Sequence, residues 1–318
     1  MQQHIDQTIW GNYQTDGFET ISTHTPRTAL DAFYLSILAY SDGNLAQAYT
    51  FAEHAVQKDS KSLLYREATT YLTRVIQHGT HHAYTSPAGF EAFIRGGGHI
   101  LLYKELRASL RQIYHAYTDL HLLDIGTGDG ETLLPALSDT IGHVDVVEPS
   151  TAMLTKLEHE LQLRNITYRA YHQTLQDFTK KTHQHWPLIQ ATFSLQSLSD
   201  DERLQWLRWL QAHTDRLLIA EFDVPVFSAP LAPDRVEYVA NAFETGVAEY
   251  QDDDLVAQEF LLPMMFSYFD RSTARMNYEQ PIQQWVADLK TAGFITITTK
   301  PFYQYWWADA YLIDANNR

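Results

Sequence analysis

From about residue 120 to the C-terminus, short apolar runs alternate with stretches of helical period. Amphipathic segments such as 151–163 and 203–213 separate several of the runs and predict helices. Strands that alternate with helices are typical of an α/β protein with a mostly parallel sheet. Seven runs predict strands, at 121–125, 143–148, 166–172, 187–194, 217–222, 295–299 and about 307–314.

The first part of the chain has a helical pattern instead. Between Pro26 and Gly79, apolar residues at i, i+4 spacing predict three amphipathic helices. We therefore predict an N-terminal helical domain over 1–89, which covers the active site or forms the face of a homodimer. The second domain spans 90–318, and its residues 224–280 predict a helical insertion that serves as a substrate cap, because so long a span between core elements is usually functional.

A glycine-dense turn follows the first strand. Gly126, Gly128 and Gly130 have no Cβ, so the turn can adopt positive φ and lie against a ligand. Helix-compatible sequence begins at Glu131 and predicts a helix whose N-terminus points at the turn. Glu148, at the tip of the second strand, can accept hydrogen bonds from both hydroxyls of a ribose. The segment therefore predicts a nucleoside site at the strand ends.

The acidic residues around this turn indicate the charge of the nucleoside that it would bind. The spacing is G-x-G-x-G, and Glu131 stands where the dinucleotide motif has its third glycine. Asp124 precedes the turn, and a carboxylate beside a diphosphate is unfavourable because like charges repel. A ligand that carries an amine and a sulfonium would be attracted. The residues favour a cationic nucleoside over NAD.

The motifs Leu122-Leu-Asp-Ile-Gly-Thr-Gly-Asp-Gly130 and Val146-Val-Glu-Pro-Ser150 resemble the first and second motifs of the class I, Rossmann-like, S-adenosylmethionine-dependent methyltransferases. The resemblance runs from about Phe90 to the C-terminus. It implies a Rossmann-like, seven-stranded, mostly parallel sheet with an antiparallel last strand, and S-adenosyl-L-methionine as the cofactor. The helical N-terminal domain and the insertion before the last hairpin are additions to that α/β fold.

The resemblance also implies a set of cofactor contacts. Residues of the turn would hold the methionyl part, Glu148 the ribose, and two residues after the third strand the adenine, with a phenylalanine packed beneath the ligand. Thr174 stands where relatives usually have Asp, which weakens the expected bond to the adenine amino group. The implied cofactor-binding residues are Asp124, Gly126, Thr127, Gly128, Glu148, Thr174, Leu175 and Phe193.

The acceptor pocket should lie outside the carboxyl ends of the fourth and fifth strands. Those ends offer Gln196, Glu221 and Asp223, and either acid could orient or deprotonate an acceptor. A flexible Gly96-Gly97-Gly98 hinge would let His99 and Tyr103 face the methionyl end or the acceptor. Methyl transfer from an activated sulfonium needs alignment more than acid–base groups, so no catalytic residue is assigned.

The composition of the chain limits the kinds of molecule that it is expected to bind. The 318-residue chain has a formal net charge of −16 and no cysteine. Nucleic-acid binding normally needs a basic face, and no run of Lys and Arg provides one, so a small-molecule acceptor is predicted. No apolar run approaches the roughly 18 residues of a membrane span, and the N-terminus lacks a signal pattern, so a cytoplasmic location without membrane association is expected.

Two groups of histidines are candidate metal ligands. His78, His81 and His82 fall near a helix end, and His183 and His185 lie in a polar loop. No acid at matching spacing completes either set, so no metal is predicted. Two alternatives to a methyltransferase stay open. One is an NAD-type oxidoreductase, and the other is a non-catalytic protein that binds S-adenosylmethionine or another nucleoside.

Overall fold

A computed structural model describes residues 4–79, 86–251, 253–272 and 277–317. The chain divides into two compact units, of which the first contains Met1–Ile100 and Phe227–Arg275 and the second contains Leu101–Val226 and Met276–Arg318. By packing, most of the insertion therefore groups with the N-terminal helices. The domain boundaries from the sequence, 1–89 and 90–318 with a cap at 224–280, stay a prediction.

The helices, in chain order, are α1 (Gln7–Asp16), α2 (Phe18–Ile21), α3 (Ala29–Ser41), α4 (Leu45–Lys58), α5 (Leu63–His78), α6 (Pro87–Ile94), α7 (His99–Tyr114), α8 (Leu133–Ala136), α9 (Thr151–Leu163), α10 (Leu175–Thr179), α11 (Asp200–His213), α12 (Pro233–Glu249), α13 (Asp254–Val256), α14 (Leu262–Ser267) and α15 (Ile282–Ala292). A π-helical turn (Ala257–Leu261) joins α13 to α14, and a 3₁₀ turn spans Leu195–Ser197. The strands are β1 (Leu120–Ile125), β2 (Ile141–Val147), β3 (Tyr168–Tyr171), β4 (Trp186–Thr192), β5 (Thr214–Phe222), β6 (Thr296–Gln304) and β7 (Asp309–Asn316).

The first unit is built around α3. This helix is apolar on all sides and almost fully buried, as expected for a helix at the centre of a bundle. Thr28 and Asp31 form a capping box that fixes where it begins. The insertion is bound to the same bundle, because the Glu244 carboxylate of α12 accepts hydrogen bonds from the Leu63 and Leu64 amides, each 2.9 Å long, at the start of α5.

The second unit is a seven-stranded sheet of order β3-β2-β1-β4-β5-β7-β6. Strands β1 to β5 are parallel, and β7 runs antiparallel to both of its neighbours. This confirms the predicted α/β, Rossmann-like fold class with an antiparallel last strand. Side chains alternate between faces along a strand, so Leu122 and Leu123 of β1 enter two different buried clusters. Helices α7 and α9 cover one face, and α11 and α15 cover the other.

Most predicted strands differ from the structure by a few residues at their ends, and two predicted elements differ by more. The helix predicted from Glu131 amounts only to α8, which has four residues. The sixth strand is longer than the predicted 295–299 and reaches Gln304. It continues past Pro301 because its pairing with β7 shifts register between Pro301 and Tyr303, and proline, which has no amide hydrogen, is tolerated at such irregularities.

Candidate nucleoside site

The turn after β1 needs its glycines for different reasons. Gly126, Gly128 and Gly130 have φ of +67°, +60° and +83°, in the left-handed region that favours glycine. A Cβ at Gly126 would collide with the Ser194 side chain. At Gly128 the nearest atom would be the Met153 sulfur at 3.9 Å, so this position is open. Gly128, rather than Gly126, therefore has the space beside it that a ligand needs.

Asp124 lies at the carboxyl end of β1 and is 1% exposed. Its Oδ1 makes no hydrogen bond with any of the residues that the structure describes. Burial raises the pKa of this carboxyl to about 6, although Thr127 and Gln190 nearby oppose the rise. The Thr127 hydroxyl and the Gln190 side-chain nitrogen lie near this carboxyl and favour its charged form, but neither donates a hydrogen bond of ordinary geometry within the described part of the chain. Buried polar atoms are seldom left unpaired, so this end of β1 has the character of a binding site that lacks its donor.

Glu148 directly follows β2 and is held in a fixed orientation. Its Oε2 accepts a hydrogen bond from the Gly128 amide at 2.9 Å, and its Oε1 accepts one from the Ser150 amide at 2.8 Å. A carboxylate oxygen has a second lone-pair direction, so each oxygen can accept one further donor. The structure thus brings Asp124, Gly128 and Glu148 to adjacent positions at the carboxyl ends of neighbouring parallel strands.

The two residues implied to meet adenine lie at the start of α10. Thr174 is exposed and caps the helix, because its hydroxyl accepts a hydrogen bond from the Asp177 amide at 3.3 Å. Leu175 is 8% exposed. The Thr174 side chain therefore has a structural role as the N-cap of α10. For both Thr174 and Leu175, contact with adenine stays a prediction.

Phe193, directly after β4, has a φ of +52°. For a large side chain this backbone is strained, and such residues are concentrated at functional sites. Its ring stacks on Phe222 with centroids 4.7 Å apart, and Phe222 in turn stacks on Tyr305 at 5.5 Å. Tyr103 meets Phe193 edge-on at 6.4 Å. We call Tyr103, Phe193, Phe222 and Tyr305 the aromatic shelf. Phe222 is not among the residues predicted from the sequence, because its only signal there is its place at the end of a strand.

Glu221, at the carboxyl end of β5, is 1% exposed. Its Oε1 accepts a hydrogen bond from the Gln196 amide at 3.2 Å, and burial raises the pKa of Glu221 to about 8. The Gln196 side chain donates to the Phe193 carbonyl at 3.4 Å, whereas its Oε1 is buried without a partner among the described residues. Tyr103 and Gln196 therefore both contact Phe193, and Gln196 also contacts Glu221.

The remaining predicted pocket residues have structural roles in the protein. Asp223 accepts a hydrogen bond from the Ile282 amide at 2.8 Å and so caps α15. His99 belongs to the first unit, where its ring packs on Phe93 with centroids 4.2 Å apart, and burial lowers the pKa of His99 to about 3. The imidazole is therefore neutral at physiological pH.

The expectation of a free hinge at Gly96-Gly97-Gly98 needs correction. A Cβ at Gly96 or Gly97 would come within 3 Å of the Tyr250 ring, and the Tyr250 hydroxyl donates to the Gly96 carbonyl at 2.9 Å. The Gly98 amide donates to Glu249 at 2.7 Å. These glycines are required for close packing against Tyr250 and the end of α12.

Solved structures of S-adenosylmethionine-dependent methyltransferases resemble the chain at low sequence identity. Magnesium protoporphyrin IX methyltransferase from Synechocystis PCC 6803 with bound SAM is 13% identical, covers 84% of this chain and 97% of its own, and gives a TM-score of 0.45. The mitomycin 7-O-methyltransferase MmcR is 15% identical, with 98% of this chain and 93% of its own covered and a TM-score of 0.44. An S-adenosylmethionine-dependent methyltransferase from Clostridium acetobutylicum is 8% identical over 67% of this chain and 91% of its own, with a TM-score of 0.45.

Comparison by sequence gives no match. No model of a known protein family matches the chain, and no curated protein matches it. Among the helices that the structure describes, none is both long enough and apolar enough to cross a membrane.

Proposed function

We propose that the protein is an S-adenosylmethionine-dependent methyltransferase that acts on a small-molecule O, N or C centre. The observation that carries the proposal is the buried Oδ1 of Asp124, which has no donor from the described residues and lies beside the open position at Gly128. An ammonium group such as that of the methionyl moiety would supply both the missing hydrogen bond and the opposite charge.

The same geometry disfavours NAD. A dinucleotide site places a diphosphate at the N-terminus of a long helix, whose dipole and free amides hold the negative charge. Here α8 has only four residues, and its first turn has no side-chain cap. The Asp124 carboxylate lies beside the turn where the diphosphate would lie. Asp124 attracts a cationic ligand and repels an anionic one, whereas a ribose-binding acid such as Glu148 is common to both kinds of site.

When bound, S-adenosylmethionine would supply a methyl group already activated by its sulfonium. The protein's residues would bind this cofactor and orient its methyl group. Asp124 would pair with the ammonium, and Glu148, held by Gly128 and Ser150, would use its free lone pairs for the ribose hydroxyls. Thr174 and Leu175 would lie along the adenine, as the resemblance implies. The remaining predicted contacts, Gly126, Thr127 and Phe193, would line the methionyl side.

The acceptor would lie against the aromatic shelf at the carboxyl edge of the sheet. Stacked aromatic rings bind flat or apolar molecules and also stabilise cations. Glu221 is linked to this shelf through Gln196, whose amide donates to the Glu221 carboxyl and whose side chain donates to the Phe193 carbonyl. A carboxyl whose pKa is about 8 exchanges protons near neutral pH, so Glu221 is suited to remove a proton from a hydroxyl or amine acceptor. A cytoplasmic location, the absence of nucleic-acid partners and a homodimer stay predictions.

The proposal is tested by methyl transfer from S-adenosylmethionine labelled in its methyl group. The wild-type protein is incubated with cell extract separated into a small-molecule fraction and a macromolecular fraction. We expect label to enter the small-molecule fraction only. Label confined to proteins or nucleic acids would contradict the acceptor class, and cofactor binding without transfer to either fraction would favour the non-catalytic alternative.

A matched pair of variants tests whether the cofactor binds at Glu148. Glu148→Gln loses the carboxylate that faces the ribose, and we expect it to bind the cofactor more weakly by roughly 1–3 kcal/mol. Glu160→Gln removes the same charge from an exposed pair with Arg164 on α9 and should bind normally, since surface pairs contribute little. Equal affinity in the two variants would remove Glu148 from the site.

A further inference from the structure

A second polar cluster lies at the amino ends of the strands, at the opposite end of the sheet from the nucleoside site. His121 of β1 and His143 of β2 are register partners in neighbouring parallel strands. Asp145 lies two residues further along β2. Because side chains alternate between faces, all three project from the same face of the sheet. His121 lies more than 20 residues before His143 and Asp145 in the sequence, so the three residues become neighbours only through the register of β1 and β2.

The three side chains converge on one point. His121 Nε2 is 2.8 Å from Asp145 Oδ2, and His143 Nε2 is 3.2 Å from Asp145 Oδ1. The two imidazole rings lie 4.5 Å apart at 77°. One ligand atom of each residue lies within 4.8 Å of those of the other two. Ligand atoms of a tetrahedral zinc ion are about 3.3 Å apart, given bonds of about 2.0–2.1 Å, so small side-chain movements would complete such a site.

The surroundings orient the carboxylate and leave both histidines partly exposed. The Gln184 side-chain nitrogen lies 3.3 Å from His121 Nε2 and 3.3 Å from Asp145 Oδ2, so it has to move aside when an ion binds. Asp145 is 1% exposed, and the indole nitrogen of the buried Trp186 donates to its Oδ2 at 2.8 Å. Partners of this kind fix the orientation of metal ligands in known sites. The side chains of His121 and His143 are 34% and 26% exposed, which provides a route for an ion from solvent.

We propose that His121, His143 and Asp145 form a binding site for a divalent late transition metal, with zinc as the representative ion. Two imidazole nitrogens and one carboxylate oxygen suit zinc, whereas magnesium and calcium prefer oxygen ligands alone. Water would complete the tetrahedron. Ligands from two strands would join β1 to β2 at their amino ends, so the ion would stabilise the sheet. This site departs from the sequence prediction of no metal, and it does not depend on the proposed cofactor.

The test is a calorimetric titration of the untagged, chelator-treated protein with zinc chloride, together with thermal melting at each zinc concentration. We expect one zinc ion per chain and a higher melting temperature in its presence. In His121→Gln and in His143→Gln, measured separately, zinc affinity should fall at least tenfold and the rise in melting temperature should disappear. Both histidines are partly exposed, so both variants should fold, which melting without zinc verifies.

Two controls separate this site from other histidines. His185 lies 3.4 Å from Asp215 in an exposed pair, and His185→Gln should bind zinc as the wild type does. His81 and His82, weighed as ligands from the sequence, lie outside the described residues, and the double variant His81→Gln/His82→Gln should also keep the site. The proposal is overturned if wild-type protein binds no zinc, or if the controls lose zinc while His121→Gln and His143→Gln retain it.

Discussion

Asp124 combines three properties that rarely coexist in a residue without a function. It is buried, its pKa is raised to about 6, and one of its oxygens has no partner among the described residues. The sequence predicts a binding role for this residue, because an acid two positions before the first glycine of the turn has a recognisable spacing. Its protonation behaviour could not be read from the sequence, since that depends on burial in the folded sheet.

The first prediction concerns the pH dependence of cofactor binding. A cationic ligand prefers the ionised form of Asp124, so affinity for S-adenosylmethionine should be high at about pH 7 and fall as the pH drops through about 6. Asp124→Asn should bind more weakly at pH 8, by roughly 1–3 kcal/mol, and should lack this decline. Calorimetry across the pH range measures both. A parallel decline in the variant would assign the effect to another group.

Glu221 gives a prediction about stability. Its folded pKa of about 8 lies above the usual value of 4.5, so the folded state retains a proton that the unfolded state releases. The stabilisation is complete below about pH 4.5 and is lost as the pH rises through about 8. Relative to Glu221→Gln, the free energy of unfolding of the wild type should therefore fall between about pH 5 and pH 8, on the order of a few kcal/mol. Urea denaturation at several pH values measures it, and identical slopes in the two proteins would contradict the assignment.

Other residues show where sequence reasoning stops. The positive φ of Phe193 and its stack on Phe222 depend on how β4 and β5 end beside each other. Asp223, whose contact with the acceptor stays a prediction, caps α15, because the start of that helix returns to the end of β5. His121 and His143 become neighbours only through the strand register. Each of these relations is tertiary and leaves no local pattern.

Among the elements, the strands were predicted more accurately than the turn that follows the first of them. Buried strands have continuous apolar runs, which are visible in the sequence. The predicted helix after the glycine turn amounts only to the four residues of α8, whose Leu133 and Leu134 are buried in one of the two clusters against the sheet. Its shortness matters, since an anion-binding helix N-terminus is thereby lost.

A pair of glycine variants tests the account of the turn. Both Gly126→Ala and Gly128→Ala place a side chain at positive φ, which costs roughly 1–2 kcal/mol. Gly126→Ala also drives a methyl group into Ser194, whereas Gly128→Ala meets open space. We expect Gly126→Ala to lose clearly more stability in urea denaturation, and Gly128→Ala to lose cofactor affinity while it remains folded. Full cofactor binding by Gly128→Ala would show that the ligand lies elsewhere.

At the scale of the whole molecule, the sequence predicted a helical part and an α/β part, and each has its own core. It did not reveal that the insertion packs with the N-terminal helices. Glu244 bonds to Ser62 and Leu63, and Gln258 bonds to the Glu67 carbonyl, across more than 180 residues of chain. Contacts between residues so far apart leave no repeating pattern in a single sequence. The boundary predicted at residue 89 therefore takes no account of them.

The most direct measurement is a calorimetric titration of the wild-type chain at about pH 8 with S-adenosylmethionine and, in parallel, with NAD. The account predicts saturable binding of one S-adenosylmethionine per chain and no comparable binding of NAD. Tighter binding of NAD, or no heat from S-adenosylmethionine up to millimolar concentration, would contradict the claim that the turn after Asp124 holds a cationic nucleoside.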